Sequence, residues 1–322
     1  MALTSLPQID YAAHPAYGGM LEPDSALGQQ ALQLLRPLIE EMTRVEAERV
    51  EKFGYRYGSS GQADRGLIEH SYVCERLGAA EMDRIEAAAA PYVRALKDKL
   101  EGPVAAGQAI PFKRVNHVLD ETTDPEVWRA VETAMREAGA YETVRGFFNA
   151  SSAKLNSLAV FVNPPNQSWI GAPFRDVEAE TPPTAGMHID SNGKCYLKAI
   201  LYLNEVGPDQ GPTCVVPGSH AWDQGGEERI RRRAFDRSKL LGRAEAHRRQ
   251  LISLPKDLQV KAEFGGDILP GSPEAEALMA DEYVSTGGRG TYTLFNPEAV
   301  HRGGDVRSGE RQALQITLAA RF

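Results

Sequence analysis

Residues 291–318 read TYTLFNPEAVHRGGDVRSGERQALQITL, and their punctuation points to the fold. Two runs of strand-forming residues, 291–295 (TYTLF) and 312–319 (QALQITLA), flank a segment crowded with Asn, Pro, Gly and Asp. That is the composition of short strands joined by turns. The same texture recurs upstream. Residues 155–162 (LNSLAVFV) stop at Asn163-Pro164-Pro165, 196–203 (YLKAILYL) form another strand candidate, and 213–216 (TCVV) stop at Pro217-Gly218. Many short strands with such turns favour a sandwich or barrel over alternating strand and helix units.

Upstream of about residue 140 the spacing is helical. Residues 25–52 carry Leu32, Leu34, Leu35, Leu38, Ile39, Met42 and Val45 with charges between them. Residues 79–100 are Ala-rich with a similar stripe, and Pro91 is expected to end or kink that helix. Residues 124–138 begin with Asp124 in a capping position before Pro125. The expected architecture is mainly β with helices, in a single domain over 1–322. A double-stranded β-helix (jelly roll, cupin-like) core spans 141–322, and a mainly helical support region, 1–140, packs on one side. A polar stretch at about 222–289, arginine-rich between Arg229 and Arg249, reads as an insertion between strands. Its basic run reads as a solvated helical face.

The chain has 322 residues, 42% hydrophobic and 25% charged, enough apolar material for a substantial core. A formal net charge of -8 argues against a nucleic-acid or anionic-membrane partner, because the mean field repels phosphate. No apolar run approaches the roughly 18 residues that a membrane span needs. The opening residues have neither the basic nor the apolar region of a signal peptide, so a cytoplasmic location is expected. Cys74, Cys195 and Cys214 then read as reduced thiols. Nothing in the sequence bears on oligomeric state.

The chemistry rests on His188-Ile189-Asp190, just before the strand that starts near Tyr196, and on His301, which follows the 291–295 strand across Asn296-Pro297. Two imidazoles and one carboxylate leave adjacent positions open on an octahedral Fe(II) ion. Residues i and i+2 of a strand point to the same side, so His188 and Asp190 can reach one metal. Alone, His-x-Asp is a weak signal, and a turn-capping histidine beside a loop aspartate is the plain alternative.

Three blocks add context: His188-x-Asp190, the run GPTCVVPGSH over 211–220, and Phe295-x-Pro297 followed by His301-x-Gly303-Gly304 and Arg311. In this order the chain resembles the phytanoyl-CoA dioxygenase-like family of Fe(II)/2-oxoglutarate oxygenases. The resemblance implies that His188, Asp190 and His301 match the iron ligands. It implies that Arg311 matches the arginine holding the distal carboxylate of 2-oxoglutarate, a task suited to a planar guanidinium fork. Arg302 and Arg307 nearby are competitors for that place, although they read rather as turn and surface arginines. Residues 112–120 (FKRVNHVLD) resemble the family's early strand, whose basic residue faces the co-substrate; Arg114 fits that place, with Lys113 as the alternative. On the strand after Asp190, Lys198, Ile200 and Tyr202 share one face, expected to look into the pocket, where Lys198 and Tyr202 are candidates to bind the co-substrate; for them, as for Arg114, an outward-facing surface role is equally open.

The implied reaction uses Fe(II), 2-oxoglutarate and O₂ to oxidise a small organic molecule, with hydroxylation as the default outcome and succinate and CO₂ released. Some relatives place a hydroxylated helper where this chain has Gly303 and Ala313. Asp190, rather than Gly or Ala, argues against halogenation, which needs a vacant position for halide. His220 reads as a structural hydrogen-bonder, and Trp169 and Phe174 as lining for the substrate mouth. A cupin-like metal enzyme without 2-oxoglutarate gives Arg311 no carboxylate to hold. A non-catalytic ligand-binding jelly roll predicts no metal-dependent turnover.

Overall fold

The computed structural model describes residues 65–108, 110–111, 114–165, 167–168, 190, 195–221 and 279–322, with Arg44 and Glu276 besides. Of the helix expected at 25–52, only Arg44 is described, and it is helical. The arginine-rich stretch 229–249 and Lys113, Trp169, Phe174, His188 and His247 lie outside the described residues.

Eleven strands occur among the described residues, all but one of their pairings antiparallel. The larger sheet runs in the order β1 (Tyr72–Arg76), β9 (Thr291–Phe295), β6 (Tyr196–Tyr202), β11 (Arg311–Arg321), β4 (Ser152–Asn163), β3 (Asn116–Leu119). A smaller sheet runs β10 (His301–Gly303), β7 (Thr213–Val215), β8 (Tyr283–Ser285), and β2 (Ile110–Pro111) pairs in parallel with β5 (Gln167–Ser168). These two antiparallel sheets are the walls of a double-stranded β-helix, as the strand texture led one to expect. Strand β8 falls inside the range read as an insertion.

Two-residue alternation divides the large sheet. Leu197, Ala199 and Leu201 of β6, Tyr292 and Leu294 of β9, and Leu314, Ile316 and Leu318 of β11 join one apolar cluster with the helices. The intervening residues turn the other way. Ile200 packs with Tyr202, Val206 and Ala313, and also beside Val215, Phe295 and Ala299. The expected shared face of Lys198, Ile200 and Tyr202 therefore looks toward the smaller sheet. The core cluster is closed by α2 (Ala79–Ala105), α3 (Pro125–Glu137) and α4 (Ala140–Phe148), whose buried faces carry Met82, Ile85, Val127, Val131, Val144 and Phe147. A short α1 (Arg65–His70) precedes β1.

Pro91 neither ends nor interrupts α2, which continues to Ala105. The ring removes one helical N–H donor, a cost of about 3 kcal/mol in an isolated helix. Buried Ala89 before it and Leu96 and Leu100 after it hold both halves against the core. Asp124 does sit at the N-cap of α3, with Pro125 in the first turn, but its carboxylate makes no cap bond. It accepts instead from the Asp120 N–H at 2.8 Å, from Thr123 Oγ at 2.8 Å and from the Tyr92 hydroxyl. Helix α4 extends the helical region past residue 140.

The 217–220 turn braces the segment that leads into β10. The Val300 N–H donates to Ser219 Oγ at 2.7 Å, Ser219 Oγ donates to the Val216 carbonyl at 2.7 Å, and the Val216 N–H donates to the Val300 carbonyl at 2.8 Å. His220 Nδ1 lies 2.6 Å from Ser71 Oγ, and the Ser71 carbonyl accepts from the Asn296 N–H at 2.8 Å. Ser71, Ser219 and His220 are all buried. Ser219→Ala strands the Val300 N–H without its acceptor, so a loss of about 1–3 kcal/mol in unfolding free energy is expected by urea titration. An unchanged denaturation midpoint would show that the brace carries no weight.

Candidate metal and anion site

His301 opens β10 and is buried. Its Nδ1 lies 2.8 Å from the Ala299 carbonyl, which can only accept. Nδ1 is therefore the donor, and in the neutral imidazole Nε2 presents a lone pair. That Nε2 is 3.7 Å from Asp190 Oδ2. Asp190 reaches this position through its backbone, whose N–H donates to the Pro297 carbonyl at 2.7 Å. Phe295 supports the imidazole, with ring centroids 4.8 Å apart. A nitrogen lone pair and a carboxylate oxygen aimed at a common space form a donor set that a divalent cation fits. Among the described residues no group of three or more metal-ligating side chains forms, His188 being outside them.

Lys198 also reaches this place. Its ammonium forms an ion pair with Asp190 Oδ2, the oxygen nearest His301, with the two side chains 12% and 27% exposed. It lies 5.9 Å from the Phe295 ring centroid, a residue paired with it across β6 and β9. Tyr202, from the same face, is engaged structurally. Its hydroxyl donates to the Ser285 carbonyl and accepts from the Thr213 N–H, each at 2.8 Å. These bonds stitch β6 to β7 and β8 and occupy the phenol's one proton.

Arg311 begins β11, and its Nε donates to Asn163 Oδ1 at 3.1 Å while Nη1 donates to the Gly211 carbonyl. Gly211 has φ of +70°, and a Cβ there would lie 2.7 Å from the Gly304 carbonyl, so only glycine brings its carbonyl to this point without strain. Both partners of the guanidinium are neutral oxygens. No described carboxylate forms an ion pair with it. Burial pulls the Arg311 pKa below its ordinary value, opposed by Tyr202 and Cys214. A Cβ on Gly303 would come 3.3 Å from Arg311 Nη2. Gly303 lies two residues after His301, so Arg311 meets the same face of β10 about 7 Å further along.

Arg302, between them, faces away. Read from sequence as a turn or surface arginine, it is in fact paired in a part-buried bidentate fork with Glu282, Nε–Oε2 2.8 Å and Nη2–Oε1 2.5 Å, with side chains 13% and 6% exposed. Cys214, its partner across the ladder, is buried, and burial pushes its thiol up to about 12. Arg307 is exposed, 3.6 Å from Asp209. Arg114 is exposed and lies two residues before β3. His70 is exposed, and exposed His117 stacks on Tyr92 with centroids 5.1 Å apart. Sequence reasoning missed Asn163 and the Gly211 carbonyl. Their visible signal was only that Asn163 ends a strand and Gly211 opens a turn.

The sequence matches the phytanoyl-CoA dioxygenase (PhyH) family over residues 64–313. No curated protein matches it significantly. Similar solved structures include AviO1 from Streptomyces viridochromogenes Tue57, 12% identical, covering 82% of this chain and 96% of that one with a TM-score of 0.43. The non-haem α-ketoglutarate-dependent carbocyclase SnoK from nogalamycin biosynthesis is 14% identical, covering 81% and 84%, with a TM-score of 0.46. EctD from S. alaskensis, solved with 2-oxoglutarate and 5-hydroxyectoine, is 12% identical, covering 83% and 80%, with a TM-score of 0.45.

Proposed function

This chain belongs to the phytanoyl-CoA dioxygenase (PhyH) family of non-haem iron, 2-oxoglutarate-dependent dioxygenases, and we propose that it oxidises a C–H bond of a small organic metabolite, by hydroxylation in the simplest case. In this reading His188, Asp190 and His301 hold the iron and Arg311 receives the distal carboxylate of 2-oxoglutarate. The observation that carries it is the guanidinium of Arg311. A part-buried cation that meets only neutral oxygens among the described residues is well suited to receive an anion through charge-assisted hydrogen bonds. Its position on the His301 face of β10 supports a reading in which that anion binds beside the metal donors.

An iron(II) ion bound there supplies the redox chemistry that couples oxidative decarboxylation of the keto acid to oxidation of the substrate. The protein's own part is orientation and exclusion of water. The Ala299 carbonyl holds the neutral His301 imidazole in the tautomer that leaves Nε2 free to donate its lone pair to a metal. Asn163 and Gly211 aim the Arg311 fork, which reduces the rotamer entropy lost when a carboxylate arrives. Phe295, Val215 and Ile200 give that space an apolar lining.

The test uses the whole chain without a known substrate. Anaerobic addition of Fe(II) and 2-oxoglutarate should give a weak visible charge-transfer band, and O₂ should bleach it with formation of succinate. Addition of candidate metabolites should raise succinate release when the right one is present. A protein that shows no band, and makes no more succinate than an iron-free control, is not the enzyme described.

A further inference from the structure

We propose that Lys198 is a built-in competitor for the metal, holding Asp190 when the site is empty of metal and thereby lowering its affinity for divalent ions. The proposal rests on the assignment of Asp190 and His301 as ligands. Lys198 was grouped with the co-substrate residues on sequence grounds, but its ammonium pairs with a ligand carboxylate.

The decisive detail is which oxygen it takes. A lysine bonded to the outer oxygen of a ligating carboxylate orients that ligand and strengthens metal binding. Lys198 takes Oδ2, the same oxygen that stands 3.7 Å from His301 Nε2. A metal between Nε2 and Oδ2 must share that oxygen with an ammonium or displace it. Both ways oppose binding, because the lysine side chain is only 12% exposed and solvent screens like charges poorly there. Displacement has a place to go. The ammonium already stands 5.9 Å from the Phe295 ring, within reach of a cation–π contact that keeps part of its stabilisation away from the carboxylate.

The fixed register of β6 makes the competition a property of the fold. Lys198 lies opposite Phe295 on β9 and Thr317 on β11, between two paired strands, so its Cα cannot retreat. The device would keep a metal from being held by Asp190 and His301 alone, and make firm binding depend on the remaining donors.

Isothermal titration of the metal-free full chain with Ni²⁺, a redox-silent stand-in for iron(II), tests this without turnover. Lys198→Met should bind Ni²⁺ at least about ten-fold more tightly than wild type, the scale on which neighbours of ligands alter metal affinity. Lys198→Arg, which keeps the charge, should stay near wild type. Circular dichroism melts check that both variants fold. Unchanged or weaker Ni²⁺ binding by a folded Lys198→Met overturns the proposal while leaving the ligand assignment intact. Wild-type protein that binds no Ni²⁺, or binds it equally well after His301→Ala, overturns the assignment itself and the proposal with it.

Discussion

Asp190→Ala is expected to abolish 2-oxoglutarate-dependent succinate formation, down to the level of a protein-free control, and to remove saturable binding of divalent metal. The substitution removes the anionic donor of the set and also the partner of Lys198, which then faces the imidazole of His301 as an unneutralised cation. Both changes disfavour a metal ion. The fold should survive, because the loop is tied by the Asp190 N–H bond to the Pro297 carbonyl, which a side-chain truncation leaves in place. His301→Ala should give the same loss by another route, with a cavity against Phe295 as its structural cost. Retention of wild-type metal stoichiometry by a folded Asp190→Ala protein would place the metal, if any, elsewhere.

The division between what the sequence discloses and what it hides follows the range of the interactions. Alternation along 196–202 and 312–319 is written in residue identity, because each leucine on one face and each lysine, tyrosine or alanine on the other answers to its own burial. The roles expected of His301 and Arg311 came from the family resemblance and not from that alternation. Arg302 was misread because its partner Glu282 belongs to a stretch that looked like an insertion, and only the pairing of β8 with β7 and of β7 with β10 brings the two together. Pro91 was misread because a local propensity was weighed without the packing on either side of it. The pairing of Lys198 with Asp190 had no local signal at all. It depends on where a loop crosses the end of a strand, which the Asp190 link to Pro297 decides.

Arg311→Leu separates a true anion receptor from a merely structural arginine. If the guanidinium grips a carboxylate with two charge-assisted hydrogen bonds, its loss should weaken 2-oxoglutarate binding by about 3 kcal/mol, or more than a hundred-fold in Kd. Ni²⁺ binding in the absence of the keto acid should change little, since no metal donor is touched. The variant also leaves Asn163 Oδ1 and the Gly211 carbonyl without their donors, so some loss of stability is expected whatever the role. Stability alone therefore cannot decide the matter; the ratio of keto-acid to metal affinity can. Arg311→Lys, a point charge without the fork, should recover only part of the binding because it cannot hold Asn163, Gly211 and a carboxylate at once. Keto-acid affinity that falls no further than metal affinity would mean that Arg311 serves the junction of β11 with the 211–213 turn, and that the acidic co-substrate is held by other groups.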